Sequence, residues 1–212
     1  MKINFIRAFE DNYIWTIEKE NEVILIDPGE ANPCFDYLKD KNLYAILLTH
    51  KHMDHVGGVK KLKEKFKDVR VYGPAETKNL NDITLKDEDE FEIFGYKFVV
   101  FKTNGHTEEH ISYLVDGNLF CGDTIFSSGC GRVFTGDYQS SFDSVQKIKQ
   151  LDKNILIYPA HEYTIDCIES SKRIIKDKIM DDAISEAKEK LSRSLPSLPT
   201  SVEKEFLINP FF

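Results

Sequence analysis

The stretch Thr49-His50-Lys51-His52-Met53-Asp54-His55 decides how the rest of the chain is read. Four side chains that bind metals, His50, His52, Asp54 and His55, fall within six positions. Imidazole together with carboxylate suits zinc or another borderline first-row divalent ion. A helix would bring residues three or four apart together and so separate His50 from His52. An extended loop sets His50, His52 and Asp54 on one side by its period of two. His55 then points elsewhere, which suits two metal positions better than one. Gly57 and Gly58 follow and let backbone pack closely. A solvated polar loop is the competing reading. The chain has only six histidines, however, and three of them sit here, which favours a metal site.

Working outward, the apolar pattern predicts strands that end on ligand-type residues. Lys2 to Arg7 and Asn12 to Ile17 alternate as strands, with Glu10-Asp11-Asn12 as the turn. Val23 to Ile26 is an apolar run of the kind covered on both faces, and it runs into Asp27. A short helix is expected from about Pro33 to Lys39. Ala45 to Leu48 delivers the histidine stretch, and Val56, Val59, Leu62 and Phe66 mark a helix after it. Val69 to Tyr72 and Phe98 to Phe101 are further strands, and the acidic run Asp87 to Glu92 reads as a solvated turn between them. Ile111 to Val115 and Leu119 to Cys121 form a hairpin around Asp116-Gly117-Asn118. A helix is marked by Phe142, Val145, Ile148 and Leu151, and Ile155 to Tyr158 leads to His161. Asp27, His50, His106, Asp123 and His161 thus all lie just past strand ends, where they can converge at one rim of a sheet.

From Thr164 to Phe212 the pattern becomes helical, with apolar stripes at Ile165, Ile168, Ile175 and Ile179 and at Ala183, Ala187 and Leu191. A helix cap is expected at Thr200 or Ser201. The reading is a catalytic domain over 1–163 and a small helical domain over 164–212. Length and a 41% apolar content are enough for a packed core. The net charge of −8 disfavours a nucleic-acid partner. The N-terminus does not read as a signal peptide and no apolar run is long enough to span a membrane. Four scattered cysteines, Cys34, Cys121, Cys130 and Cys167, read as free thiols in a reducing cytoplasm. A cytoplasmic monomer is the expectation.

Seven candidate ligands, His50, His52, Asp54, His55, His106, Asp123 and His161, are too many for one tetrahedral ion. They suit two divalent ions: His50, His52 and His106 for the first, and Asp54, His55 and His161 for the second. Asp123 is the natural bridge, because a carboxylate has two oxygens and a neutral imidazole cannot bridge. Two cations would acidify a shared water toward a pKa of about 7 and polarise a carbonyl. His110 reads as packing or as supporting a ligand rather than binding metal, and Asp27 as a carboxylate that orients the histidine loop.

These residues resemble the metallo-β-lactamase superfamily, and within it the glyoxalase II (hydroxyacylglutathione hydrolase) family. The histidine stretch, Gly105-His106, Gly122-Asp123 and His161 carry the first resemblance. Ala8 to Trp15, Gly129-Cys130-Gly131-Arg132, His161-Glu162-Tyr163-Thr164 and Asn209-Pro210-Phe211 carry the second. The resemblance implies an α/β (α+β) fold, an αββα sandwich with a helical C-terminal domain. It implies two metal ions, zinc first, with iron or manganese as alternatives. It also implies hydrolysis of S-D-lactoylglutathione to D-lactate and glutathione by a metal-bridging hydroxide, in methylglyoxal detoxification. Asp54 is then catalytic, and Arg132 and Tyr163 touch the glutathione moiety. The chain departs from the family pattern at Asn104, where Pro is frequent, and at Glu109, where Gly is. Phe134 stands where some relatives have Tyr. The sequence ends at Phe212, whereas longer relatives carry further basic residues, so a weaker or broader thioester preference is expected. Rival readings are a lactonase, β-lactamase, other thioesterase or persulfide dioxygenase on the same fold, a nuclease, and a non-catalytic domain stapled by metal.

Overall fold

Runs that are apolar on every residue and runs that alternate meet in one sandwich. The computed structural model, which describes residues 1–212, holds two six-stranded sheets. The first takes β1 (Lys2–Ala8), β2 (Asn12–Lys19), β3 (Glu22–Ile26), β4 (Asn42–Leu47), β5 (Arg70–Gly73) and β6 (Ile83–Thr84) in chain order. β1 to β3 pair antiparallel, and β3 to β6 pair parallel. Parallel neighbours need crossovers. Helix α1 (Ala31–Tyr37) carries the first, and α2 (Met53–Val56) with α3 (Val59–Lys65) the second.

The second sheet takes the hairpins of β7 (Glu90–Ile93) with β8 (Tyr96–Lys102) and of β9 (Ile111–Val115) with β10 (Asn118–Gly122). The small β11 (Ile125–Phe126)–β12 (Gly129–Cys130) hairpin and α4 (Tyr138–Lys149) then lead to β13 (Leu156–Pro159), which lies parallel to β10. Helices α5 (Thr164–Ser171) and α6 (Ile179–Ser192) follow, then β14 (Thr200–Ser201) on the edge beside β13, and α7 (Val202–Ile208). Ser201 caps α7 by accepting the Lys204 N–H at 3.1 Å.

Burial explains the pattern of β3. Ile24 and Ile26 pack between the sheets with Trp15, Phe98, Tyr113 and Phe120, whereas Val23 and Leu25 face α1 and α3. Ile148 of α4 and Val202 of α7 cover the outer face of the second sheet at Leu119 and Ile157. The order is helix, sheet, sheet, helix, an αββα sandwich. Each fully buried Ile or Leu contributes about 1.5–3 kcal/mol, against about 1–3 kcal/mol for one buried polar group left without a partner. The frame can therefore carry a few unpartnered polar atoms at its rim.

Two sequence expectations change. The acidic run is not wholly a turn: Glu90–Ile93 is an edge strand, with Phe91 and Ile93 turned inward and Glu90 and Glu92 exposed. Its alternation was masked by its charges. The stripe from Ile165 to Ile179 is not one helix, because α5 ends at Ser171. Three of its four members still meet, since Ile175 and Ile179 pack on the cluster of Ile168, Met180, Ala183, Ile184 and Ile208. No helix is long and apolar enough to cross a membrane.

Candidate metal centre

The strand ends converge as their sequence pattern implied. β3, β4, β10 and β13 run out at Asp27, His50, Asp123 and His161, and β8 leads through Thr103 to His106. A bridge between Asn12 and His161 ties the two sheets at this rim. Asp27, buried and at φ 53°, accepts the Thr49 N–H at 2.7 Å, the Thr49 hydroxyl at 2.6 Å and His55 Nδ1 at 3.1 Å. It locks the histidine loop. Its oxygens are occupied in doing so, and this argues against the alternative grouping of Asp27 with His50 and His55 as a metal set.

The loop is extended only as far as His52. Met53–Val56 is a helical turn with His52 as its extended N-cap, so Asp54 leaves the side of His50 and His52 and joins His55. The period-two expectation for Asp54 is corrected here, because a helix start resets the direction of each following side chain.

His50, His52 and His106 form one set. His50 Nε2 lies 3.1 Å and His106 Nε2 3.0 Å from His52 Nδ1. His106 Nδ1 donates to the Arg132 carbonyl at 2.8 Å, so its Nε2 carries a lone pair. The Thr49 hydroxyl donates to Asp27 and can accept from His50 Nδ1 at 3.0 Å, which leaves His50 Nε2 a lone pair as well. Two lone pairs then face a single His52 nitrogen, and one proton cannot serve both.

Asp54, His55 and His161 form the other set. His55 and His161 donate their Nδ1 protons to Asp27 and Asp11, the latter at 2.7 Å, and turn Nε2 inward. His55 Nε2 is 3.4 Å from Asp54 Oδ2, and His161 Nε2 is 3.4 Å from the same oxygen. Asp123 lies between the sets. Its Oδ2 is 3.4 Å from both His106 Nε2 and His161 Nε2, and its Oδ1 is 3.5 Å from His55 Nε2.

The only buried side-chain nitrogen or oxygen atoms without a hydrogen-bond partner are His55 Nε2 and Asp123 Oδ1, and they face each other. Separations of 3.4–3.5 Å exceed a good N–H···O bond. Two ligands each about 2.05 Å from a tetrahedral ion stand about 3.3 Å apart. The inward atoms are thus spaced as ligands around cations, and two divalent ions fit this donor set.

Electrostatics separates the sets. Burial first, then neighbouring histidines, hold His50 well below the usual imidazole pKa, and burial also lowers His52 and His106. These three are neutral, as ligation requires. Burial opposes charge on His55 and His161 too, but the carboxylates of Asp123, Asp27, Asp54 and Asp11 outweigh it. His55 is raised well above the usual range and His161 to about 10. Asp54 is held far below the carboxylate range by His161 and His55. The second set therefore calls for positive charge, which protons or a metal ion must supply.

The surroundings set the orientation of the ligands. His110 is fully buried, accepts the Asp123 N–H on Nε2 at 3.2 Å and contacts the Thr103 and Thr124 hydroxyls through Nδ1, which leaves it no free atom for a metal. Gly122, at φ +49°, would drive a Cβ to within 2.8 Å of His110 Nε2, so the approach of Asp123 depends on glycine. Sequence reading missed three supports. Asp11 holds His161, and Asn12 Nδ2 reaches Asp54 Oδ2 at 3.2 Å. Glu76 accepts the Lys51 N–H at 3.2 Å and the Thr107 hydroxyl at 2.6 Å, tying the loops of the first set together. Buried Asn12 just after an acidic turn was a readable signal; Glu76 had none.

Arg132 and Tyr163 flank the two sets. The Arg132 guanidinium lies 5.1 Å over the Phe134 ring, which itself stands edge-on to His52 and His106 at 5.3 and 5.2 Å. Tyr163 stacks on His161 at 4.8 Å and 9°. Both line a groove of about 480 Å³ with Phe126, Cys130, Ile174 and Phe211. Neither this groove nor a larger cleft, about 700 Å³ beside Asn42, Lys65 and Arg70, is lined by any of the seven candidate ligands, but the groove adjoins them through Tyr163, which stacks on His161. The four cysteines are free, and burial raises the Cys130 thiol and lifts Cys167 to about 12, so neither is a thiolate nucleophile at neutral pH.

Fold and site together define a metallo-β-lactamase-type centre, and the profile described as "Metallo-beta-lactamase superfamily" matches residues 8–161. That class implies divalent metal at the histidine–aspartate cluster. The chain is 43% identical to a hydroxyacylglutathione hydrolase of Actinobacillus pleuropneumoniae serotype 5b, over 100% of its own length and 92% of that relative's. It is also 43% identical to the hydroxyacylglutathione hydrolase of Cronobacter sakazakii, over 99% and 85%. Among solved structures, the BLEG-1 B3 metallo-beta-lactamase superposes with TM-score 0.76 at 22% identity, covering 99% of both chains, a likeness of fold alone. The chain belongs to the hydroxyacylglutathione hydrolase family of this superfamily.

Proposed function

We propose that this chain is a metal-dependent thioester hydrolase that cleaves S-D-lactoylglutathione to D-lactate and glutathione. The observation that supports the reading is one carboxylate, Asp123, lying 3.4–3.5 Å from histidines of both sets, near a groove lined by Arg132 and Tyr163. His50, His52 and His106 would hold one ion and Asp54, His55 and His161 the other, with Asp123 available to both. Zinc suits the histidine-rich donors first, with iron or manganese as substitutes. When bound, the two ions supply an acidified water and polarise the thioester carbonyl. The water adds to the carbonyl carbon, the C–S bond breaks, and the thiol leaves with the water's proton.

The protein's own groups position these partners. Asp54, held ionised by His161 and His55 and bonded to Asn12, orients the attacking water. Arg132 pairs with a glutathione carboxylate, for which its planar fork is suited. Tyr163, its phenol raised to about 12 mainly by burial, stays protonated and donates to the peptide part of the substrate. Residues 1–163 form the catalytic unit, and 164–212 supply one wall of the groove through Cys167, Ile174 and Phe211. The enzyme works as a monomer and in the cytoplasm, and its unpaired cysteines support the second of these.

The test is loss of the thioester of S-D-lactoylglutathione with metal-loaded protein and a chelator-treated control. Turnover that dies on chelation and returns with zinc is expected. No turnover by protein carrying two ions would overturn the substrate and direct the search to other thioesters, lactones and persulfides.

A further inference from the structure

Outside the metal centre, one acid is fully buried: Glu205, on α7. It has four neutral donors. Oε1 accepts from the Ser127 hydroxyl at 3.0 Å and the Thr200 hydroxyl at 2.6 Å. Oε2 accepts from the Ser128 N–H at 2.7 Å and Asn209 Nδ2 at 2.9 Å. Every acceptor site of the carboxylate is thereby matched by a donor; burial raises its pKa above the usual carboxylate value, and the four donors oppose that shift.

Two of those donors belong to the segment between β11 and β12. Ser128 is buried at φ +66°, a backbone state that a residue other than glycine keeps only when its surroundings hold it there. Three contacts do so. Glu205 takes its N–H, its hydroxyl donates to the Ile208 carbonyl at 2.7 Å, and its carbonyl accepts from Ser171 of α5 at 2.7 Å. Asn209 adds a bond to the Gly129 carbonyl at 3.0 Å. The chain then continues as Gly129-Cys130-Gly131-Arg132 into the metal centre. Gly131 packs so closely that a Cβ there would come within 1.8 Å of the Asp123 carbonyl oxygen, and the Arg132 carbonyl receives His106 Nδ1.

We infer that Glu205 is a positioning residue for the thioester site: from the C-terminal helix it sets the Ser127–Arg132 segment, and with it the Arg132 side chain and the His106 ring. The inference rests on the proposed thioester activity for Arg132, but not for His106.

Three variants test it. E205M keeps the volume and removes the acceptors, leaving the Ser128 N–H unpartnered. E205D keeps the carboxyl group but withdraws its oxygens by one methylene, and serves if E205M fails to fold. E205Q can turn its oxygen to Ser128 and Asn209 and its amide to the Ser127 and Thr200 hydroxyls, which can accept. Folded E205M or E205D should raise KM for the glutathione thioester about tenfold with kcat changed less than about threefold, and weaken glutathione binding in parallel. E205Q should restore both. In the cobalt-substituted proteins the absorption bands of the site containing His106 should shift in E205M and E205D and return in E205Q. Wild-type kinetics and cobalt spectra in a folded E205M or E205D would overturn the inference. A wild-type protein without thioesterase activity whose cobalt bands still move in E205M or E205D would overturn the substrate reading and leave Glu205 its role toward His106.

Discussion

The two ligand sets lie a few ångströms apart and share one carboxylate, yet they solve opposite electrostatic problems. His50, His52 and His106 are three imidazoles whose charge is suppressed by burial, and their difficulty is lone pairs crowded at 3.0–3.1 Å. Asp54, His55 and His161 are surrounded by carboxylates, and their difficulty is excess negative charge, which raises His161 to about 10. A cation relieves both. In the first set it displaces nothing, and in the second it displaces protons. The sets should therefore differ in how they load and in how they respond to pH.

The largest expected effect comes from removing what they share. D123A should lower kcat by at least about 10³-fold and weaken both ions, read as turnover and metal content. D54A should also abolish turnover but lower the metal content from two ions to one while the chain stays folded. Loss of both ions from D54A would mean that the sets are a single cooperative site, and full activity with unchanged metal content would remove Asp54 from the ligands.

Next in size is the response to pH. In metal-free protein His161 is protonated at neutral pH because its folded pKa, about 10, exceeds the unfolded value of about 6.5. A raised pKa contributes stability that is full below the unfolded value and is lost as pH rises through the folded one. The Tm of chelated protein should therefore fall between about pH 6.5 and 10, while metal-loaded protein changes less. Calorimetric titration at pH 7 should show proton release for the ion entering the second set and almost none for the first. Equal release from both would erase the contrast between the sets.

Legibility in the sequence follows the same line. The convergence of His50, His106, Asp123 and His161 could be read because each follows a strand whose apolar pattern is local, and because histidines are scarce in this chain. Helix α4 and the hairpin around Gly117 could be read for the same reason. The turn of α2 that parts Asp54 from His50 could not, because an extended and a helical path are equally polar over so few residues. Nor could Glu76 and Glu205, whose partners at Thr107 and Ser128 lie 31 and 77 residues away in the chain. An acid of that kind looks like any solvated charge until the fold closes over it. Glu90 and Glu92 misled the opposite way, as charges on the wet face of a strand.

The smallest effects belong to the two residues that flank the sets from the groove. R132A should raise KM for the glutathione thioester about tenfold with little change in kcat, since its backbone carbonyl still receives His106 while its guanidinium is gone. An unchanged KM would remove Arg132 from substrate binding. Y163F should do less. The ring that stacks on His161 remains, so the second set keeps its ion, and only one hydrogen bond to substrate is lost, for a KM rise of roughly threefold to tenfold. Y163A removes the stack as well and should also reduce metal content at the second set but not the first. If Y163F and Y163A gave the same KM and metal content, the stack would contribute nothing to His161, and the difference between the sets would rest on the carboxylates alone.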